Sequence, residues 1–254
     1  ELLLIAGAAH GEAAPEPRLW ERRPADDDFL ELRLGAGSLP ASSQARVPPL
    51  TAGGAADRRP HRAAAEYATL RQVPIAVPLG GLGSLGVAGP RAAAAALARA
   101  LVWQAATLHA PADLRIAALF GPQAAAEWEW LRWLPHCVPL SNDPAPGARM
   151  LAGGPEAAAR LASELLDLLS RRREGAGRAP DAPPPTPRLL VLVDGAALPH
   201  AHPPLAEVLR HGAPLGMATL LLVPSWPQLP EACAAMVELD ERGGRWTRAG
   251  DAWP

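Results

Sequence analysis

Two short segments carry residue types that could hold a phosphate or a magnesium ion. Val87-Ala-Gly-Pro-Arg91 sets a glycine at the end of an apolar strand with a helix N-terminus directly behind it, the layout of a phosphate cradle. A working P-loop also needs the spacing G-x-x-x-x-G-K-[ST], so that backbone amides converge, a lysine meets the phosphates and a hydroxyl holds magnesium. Counted from Gly89, those last three positions are Ala94, Ala95 and Ala96, so none of the three groups is present. All 24 Lys+Arg residues are arginine, which removes every mechanism that requires a lysine amine from this chain. A GC-rich genome explains the bias, and the chemical consequence stands regardless of cause. The second segment, Leu189-Leu-Val-Leu-Val-Asp194, is an apolar strand ending in an acid, as in a Walker B strand that presents a carboxylate to magnesium. Gly195 follows where motor ATPases commonly place a second carboxylate to orient water. Gly89, Pro90, Arg91, Ala95, Ala96 and Asp194 are therefore vestigial nucleotide-site positions, with no catalytic residue expected and no cofactor required. Weak ATP or magnesium binding, with Arg91 on a phosphate, stays open. A plain strand–helix junction at Gly89 and a capped turn at Asp194 are the structural alternatives.

Other patterns are less specific. Gly81-Leu-Gly-Ser-Leu-Gly86 matches G-x-G-x-x-G, but Leu85–Ala88 and Pro90 postpone the helix that should follow at once, and Asp113 precedes its strand instead of ending it. A dinucleotide-dependent oxidoreductase is accordingly the remoter alternative. His136-Cys137 and His200, His202 and His211 lack the paired spacing of a zinc site, so no metal is expected. Trp128, Trp130 and Trp133 fall within six residues, and helical spacing would put Trp130 and Trp133 on one face. Core packing competes there with a protein-contact surface.

The elements that must position these residues alternate between strand and helix. Residues 1–74 read as an N-terminal extension with one strand, Phe29–Leu34, and Gly/Pro/Ser-rich loops over 35–60. Residues 75–254 read as an α/β domain. Its strands are expected at Ile75–Leu79, Leu85–Ala88, Leu114–Phe120, near Cys137–Leu140, at Leu189–Val193, Met217–Val223 and Met236–Leu239, with a terminal hairpin across Arg242–Gly244. Helices are expected over Arg91–His109 and Ala124–Leu134, and from Pro155 to an end near Gly175. This order implies a mostly parallel sheet with helices on both faces. With 254 residues, 49% of them hydrophobic, such a core can be filled. A formal charge of −2 and a pI near 6.4 give no basic field for nucleic acid. Cys137 and Cys233 are too far apart for a disulfide framework, which suits a reducing compartment. The apolar run Leu2–Ala6 is far shorter than the ~20 residues of a bilayer-spanning helix, so a soluble piece is expected.

Taken in order, Leu19-Trp-Glu-Arg-Arg-Pro24, Asp28-Phe-Leu30 with Leu32-Arg-Leu-Gly35, Leu85-Gly-Val-Ala-Gly-Pro-Arg91, His109-Ala-Pro-Ala-Asp113 and Trp130-Leu-Arg-Trp-Leu-Pro-His136 resemble the EccC/EssC family of FtsK/SpoIIIE-like ATPases of type VII (ESX) secretion systems. The match is to its membrane-proximal, degenerate ATPase-like domain. The resemblance implies a P-loop NTPase-like fold with eroded nucleotide motifs. It also implies a place between two transmembrane helices and several active ATPase modules, on the cytoplasmic side of the plasma membrane and anchored through segments outside this sequence. Partners would be membrane components of the secretion machine and the downstream modules of the same polypeptide. The implied role is structural coupling in protein export, with an ATP-binding domain of residual activity as the alternative.

Overall fold

The computed structural model describes residues 19–41, 63–64, 67–140, 144–179, 182–195 and 198–248. The strands are β1 (Glu31–Pro40), β2 (Thr69–Pro78), β3 (Ser84–Ala88), β4 (Leu114–Phe120), β5 (Leu151–Gly153), β6 (Arg188–Asp194), β7 (Met217–Val223), β8 (Ala235–Asp240) and β9 (Gly243–Arg248), and the longer helices are α1 (Arg91–Leu108), α2 (Pro155–Arg178) and α3 (Pro203–His211). Residues 33–77 form one compact unit, which holds most of β1 and β2 as a two-stranded sheet. The described residues of 1–32 and 78–254 form the other. The run Leu2–Ala6 and most of the 35–60 loop lie outside the described residues.

In the larger unit the sheet order is β5-β4-β6-β7-β3-β8-β9. Every neighbouring pair is parallel except β8–β9, which is the terminal hairpin the sequence predicts. The central strands are buried on both faces, and this is why they read as unbroken apolar runs rather than alternating ones. One set of side chains, including Leu119, Val191, Val193 and Leu221, packs with Leu161, Leu165 and Leu169 of α2 and Val208 of α3. The intervening set, including Ile116, Leu190, Leu192 and Leu220, is equally buried. It faces the other side of the pleat, the side that α1 covers with Ala94, Ala98, Leu101, Val102 and Ala105. Alanine suits that helix twice: its helix propensity is the highest, and its small side chain brings the helix close to the sheet.

The segment before β1 is fastened to the end of α1 by one histidine. His109 Nδ1 donates to the Ala105 carbonyl at 2.9 Å, and its Nε2 accepts the Leu30 amide at 3.0 Å. Phe29 packs edge-on against the ring with centroids 4.6 Å apart. Trp20 Nε1 donates to the Ala106 carbonyl at 3.1 Å, Arg22 bridges to His109, and Arg23 pairs with Asp113 at 2.9 Å. His136 Nε2 reaches the His109 carbonyl at 2.8 Å. Four of the sequence motifs thus converge on a single cluster. Leu30 sits there in the left-handed region at φ 57, a conformation that costs a leucine about 1 kcal/mol, and it holds hydrogen bonds to His109 and Leu79 in return.

Burial pushes the His109 imidazole down to about 4, so the folded protein keeps it neutral while the unfolded chain protonates near 6.5. The unfolded state therefore binds more protons between these values, and the stability His109 contributes above pH 6.5 is lost as the pH falls toward 4. Between pH 7.5 and pH 5 the loss from this group is about 2 kcal/mol. Urea unfolding at the two pH values measures it. His109→Asn, which keeps the donor to Ala105, should flatten the dependence over that window; an unchanged slope in the variant would assign the effect elsewhere.

Four expected elements differ. The strand expected at Ile75–Leu79 in the α/β sheet is the end of β2, which pairs with β1 in the two-stranded sheet, and Leu79 opens a helical turn. The helix expected over Ala124–Leu134 is broken into a 3₁₀ turn at Pro122–Ala124, one α-turn at Ala125–Trp128 and a 3₁₀ stretch at Glu129–Trp133. Trp128, Leu131 and Leu134 are all buried, a three-residue period that matches the three residues per turn of the 3₁₀ stretch. The strand expected near Cys137–Leu140 is absent; Pro135–Cys137 is a 3₁₀ turn, and the edge strand is formed instead by Leu151–Gly153 beside β4. Pro139 has no amide to give a ladder. Helix α2 runs through Gly175 and Gly177 to Arg178, because a Cβ at either glycine would meet nothing and no left-handed residue interrupts the helix there.

Candidate functional site

Strands β3 and β6 flank β7 in parallel, so Gly89 and Asp194 emerge at the same edge of the sheet, as a nucleotide-type layout requires. The turn itself is closed. Gly89 has φ +140, and a Cβ there would lie 2.5 Å from the Leu239 carbonyl oxygen, so packing against β8 alone demands glycine. Its amide donates to the Val223 carbonyl at 3.4 Å, and the Gly195 amide to that of Leu222 at 3.2 Å, both spent on the sheet. Pro90 has no amide to offer. Of the vestigial P-loop positions, Ala94 and Ala95 are buried and Ala96 is exposed. A lysine at 95 would have to enter the core.

What fills the space between the two segments is Arg91. Its guanidinium meets Asp194 in a two-pronged pair, Nη1 to Oδ1 at 2.5 Å and Nη2 to Oδ2 at 2.7 Å. Trp128 Nε1 adds a third donor to Oδ2 at 2.6 Å. Glu127 closes the outer side, 2.9 Å from Arg91 and 3.5 Å from Arg99. The Asp194 side chain is 4% exposed and that of Arg91 46%, so the acid lies inside and the cation caps it. The hydrogen bond to Asp194 holds the guanidinium pKa above its ordinary value, against the opposing effect of burial. Both carboxylate oxygens face donors, Oδ1 one and Oδ2 two, so a metal would meet the carboxylate in competition with Arg91.

Glu127 and Arg99 were not legible as site residues, and Trp128, expected to compete between core packing and a contact surface, is buried against Asp194. Trp130 packs edge-on against Trp103 at 5.2 Å, whereas Trp133 is 80% exposed. The 81–86 glycines make no dinucleotide loop: Leu79–Leu82 is one helical turn before β3, Gly83 abuts Ala213, and Gly86 lies within β3 against Leu229. Asp113 stands at the start of β4, bound to Arg23. His200, His202 and His211 lie on or beside the short helices before β7, and among the described residues no group of His, Cys, Asp or Glu is arranged to hold a metal. Burial lifts the Cys137 thiol to about 12, leaving it inert.

A mostly parallel sheet with a strand–glycine–helix turn and a strand-end aspartate at one edge is a P-loop ATPase-like domain. The solved structures agree: the chain is similar to the cytoplasmic domain of the Thermomonospora curvata type VII secretion ATPase EccC, with a TM-score of 0.55 and 18% identity over 92% of this chain and 27% of that one. It is also similar to T. curvata EccC (ATPases 2 and 3) in complex with a signal sequence peptide, at TM-score 0.56 and 17% identity over 89% of this chain and 39% of that one. In sequence it is 35% identical over 190 residues to the ESX secretion system protein EccC of T. curvata, covering 70% of this chain and 14% of the relative. It is 37% identical over 124 residues to the ESX-4 secretion system protein EccC4 of Mycobacterium tuberculosis H37Rv, covering 47% of this chain and 10% of that protein. No protein-family model matches the chain. The chain belongs to the EccC/EssC family of ESX secretion-system ATPases, and it spans roughly a tenth to a seventh of the length of these curated relatives. Among the described residues no helix is long and apolar enough to cross a membrane.

Proposed function

We propose that this chain is a non-catalytic, ATPase-like coupling domain of a type VII secretion motor, which links a membrane anchor to downstream ATPase modules through protein contacts. The observation that carries this reading is the Arg91–Asp194 pair, because it sets a protein cation on the strand-end carboxylate that a Walker B-type strand presents to magnesium. Phosphoryl transfer depends on positioning and on neutralising charge at the phosphates. Here a fixed cation already neutralises the carboxylate, and a magnesium ion would have to displace it and stand beside it. The residues present do not fit a magnesium–ATP site. Glycine and proline at 89 and 90 serve the turn, and the P-loop positions serve the core.

The residual-binding alternative draws its support from Arg91 being half exposed at the start of α1, where a phosphate could still meet a guanidinium. Turnover is a separate matter and is not expected. Purified chain with ATP and magnesium should release phosphate no faster than Asp194→Asn, and calorimetric titration with a non-hydrolysable analogue should show no magnesium-dependent heat. Magnesium-dependent turnover that Asp194→Asn abolishes would establish the ATPase alternative instead.

A further inference from the structure

The segment 122–133 that plugs the nucleotide-type edge with Trp128 also forms a wall of a second feature. An open cleft of about 920 Å³ lies beside the β4–β5 edge of the sheet. Phe120 and Leu151 contribute apolar surface, Trp133 rises from it at 80% exposure, and Glu129, Arg132 and Arg149 supply the charge. A tryptophan exposed to that degree is costly to keep in water and marks a contact surface when it borders a concavity. The Trp-rich run therefore acquires its significance from this single member, since Trp128 is buried and Trp130 packs on Trp103.

The charges around Trp133 are not balanced. Arg132 is paired with Glu129 at 2.8 Å and holds its guanidinium carbon 5.9 Å from the centre of the Trp133 ring. Arg149 is clamped differently: its Nε donates to the Arg132 carbonyl at 2.8 Å and its Nη1 to the Ala148 carbonyl at 2.8 Å. Both partners are backbone oxygens, so the guanidinium is held in place, and among the described residues of the cleft no carboxylate pairs with it. Among the described residues lining the cleft the acid, Glu129, is already used by Arg132. The result is a fixed cation next to an exposed indole over an apolar floor.

We propose that this cleft is a docking site for an acidic peptide segment of a partner protein, in which a carboxylate pairs with Arg149 and an adjacent apolar or aromatic side chain lies against Trp133, Phe120 and Leu151. Arg149 is pre-oriented by its two backbone bonds, so little side-chain entropy is lost when the carboxylate arrives. The cleft's net positive charge selects against basic segments, and its apolar floor against anions that carry no hydrophobic group. The proposal rests on the protein-contact part of the coupling role and not on the sealed nucleotide edge, so a failed peptide assay and a positive ATPase assay would refute different statements.

Fluorescence anisotropy with a labelled Asp-Glu-Leu-Phe-Asp-Glu peptide and the full 254-residue chain tests it. Binding is expected, weakening as salt rises, with a loss of tenfold or more in both Trp133→Ala and Arg149→Glu. The lysine-substituted peptide should not bind. Both substituted side chains are exposed, and circular dichroism confirms that each variant keeps the fold. Absence of binding at millimolar chain would overturn the proposal, as would equal binding by the variants or by the lysine peptide. Tighter association with anionic lipid vesicles or a single-stranded oligonucleotide than with the peptide would likewise overturn it, assigning the surface to a different class of partner.

Discussion

Replacing Trp128 with alanine is expected to lower stability by about 4 kcal/mol, the largest effect of any single side chain at the candidate site. The indole is fully buried against the carboxylate end of β6, and its removal leaves a cavity there. A second contribution is electrostatic. Trp128 Nε1 is one of three donors on the Asp194 carboxylate, and a hydrogen bond to a charged group contributes about 1.5–3 kcal/mol. Trp128→Phe separates the two parts, because phenylalanine fills most of the volume and lacks the donor; its expected cost is about 2 kcal/mol. For a unit of this size the alanine variant corresponds to a fall in melting temperature of roughly 8–16 °C. A measured loss below 1 kcal/mol for Trp128→Ala would mean that the segment 122–133 is not anchored through this residue, and would remove the account of how the site edge is plugged.

The anchoring also explains which parts of the architecture were readable in the residues. Strands β3, β4, β6 and β7 are apolar on both faces and bounded by Gly, Pro or Asp, and that pattern has few other solutions; the Gly89 and Asp194 edge followed from it. The segment 122–133 has no such uniqueness. Its tryptophans satisfy an α-helical pattern and a three-residue one equally, and the choice was made by the Asp194 carboxylate on a strand 66 residues away. The edge strand was misplaced for a related reason. Cys137–Leu140 and Leu151–Gly153 are both short apolar runs, and only the free edge of β4 decides which one pairs. Least legible was the Arg91–Asp194 pair, separated by 103 residues. The losses at Ala94, Ala95 and Ala96 announced that the phosphate cradle was incomplete. They did not announce that a neighbouring arginine had turned into the gap, because that contact depends on the order in which the strands pair. The residues carrying the family resemblance were informative in a different sense. Trp20, Arg22, Phe29, His109 and His136 meet in one cluster around two buried histidines, so their pattern reports a packing constraint near the start of the domain rather than a chemical one.

The second large effect is expected from the ion pair. Arg91→Met should cost about 3 kcal/mol, near the low end for breaking a buried pair, because the arginine is half exposed and water can reach part of the gap it leaves. The cost arises at Asp194, whose side chain is 4% exposed and would retain only the Trp128 donor. Asp194→Asn alone should cost about 1 kcal/mol, since an amide oxygen still accepts from Trp128 and Arg91 keeps Glu127 at 2.9 Å. In the double variant Arg91→Met/Asp194→Asn no buried charge is left without a partner, and the loss should be about 1.5 kcal/mol, less than for the arginine change alone. Thermal and urea unfolding of the four proteins gives a coupling energy of about 2.5 kcal/mol by the double-mutant cycle. A surface pair of ordinary strength would give less than 1 kcal/mol, and its coupling would fade in 0.5 M salt; the enclosed pair should keep most of its coupling there, because screening acts weakly on buried charges. Coupling below 0.5 kcal/mol would show that Arg91 merely rests over the acid, leaving the carboxylate free to exchange that cation for another.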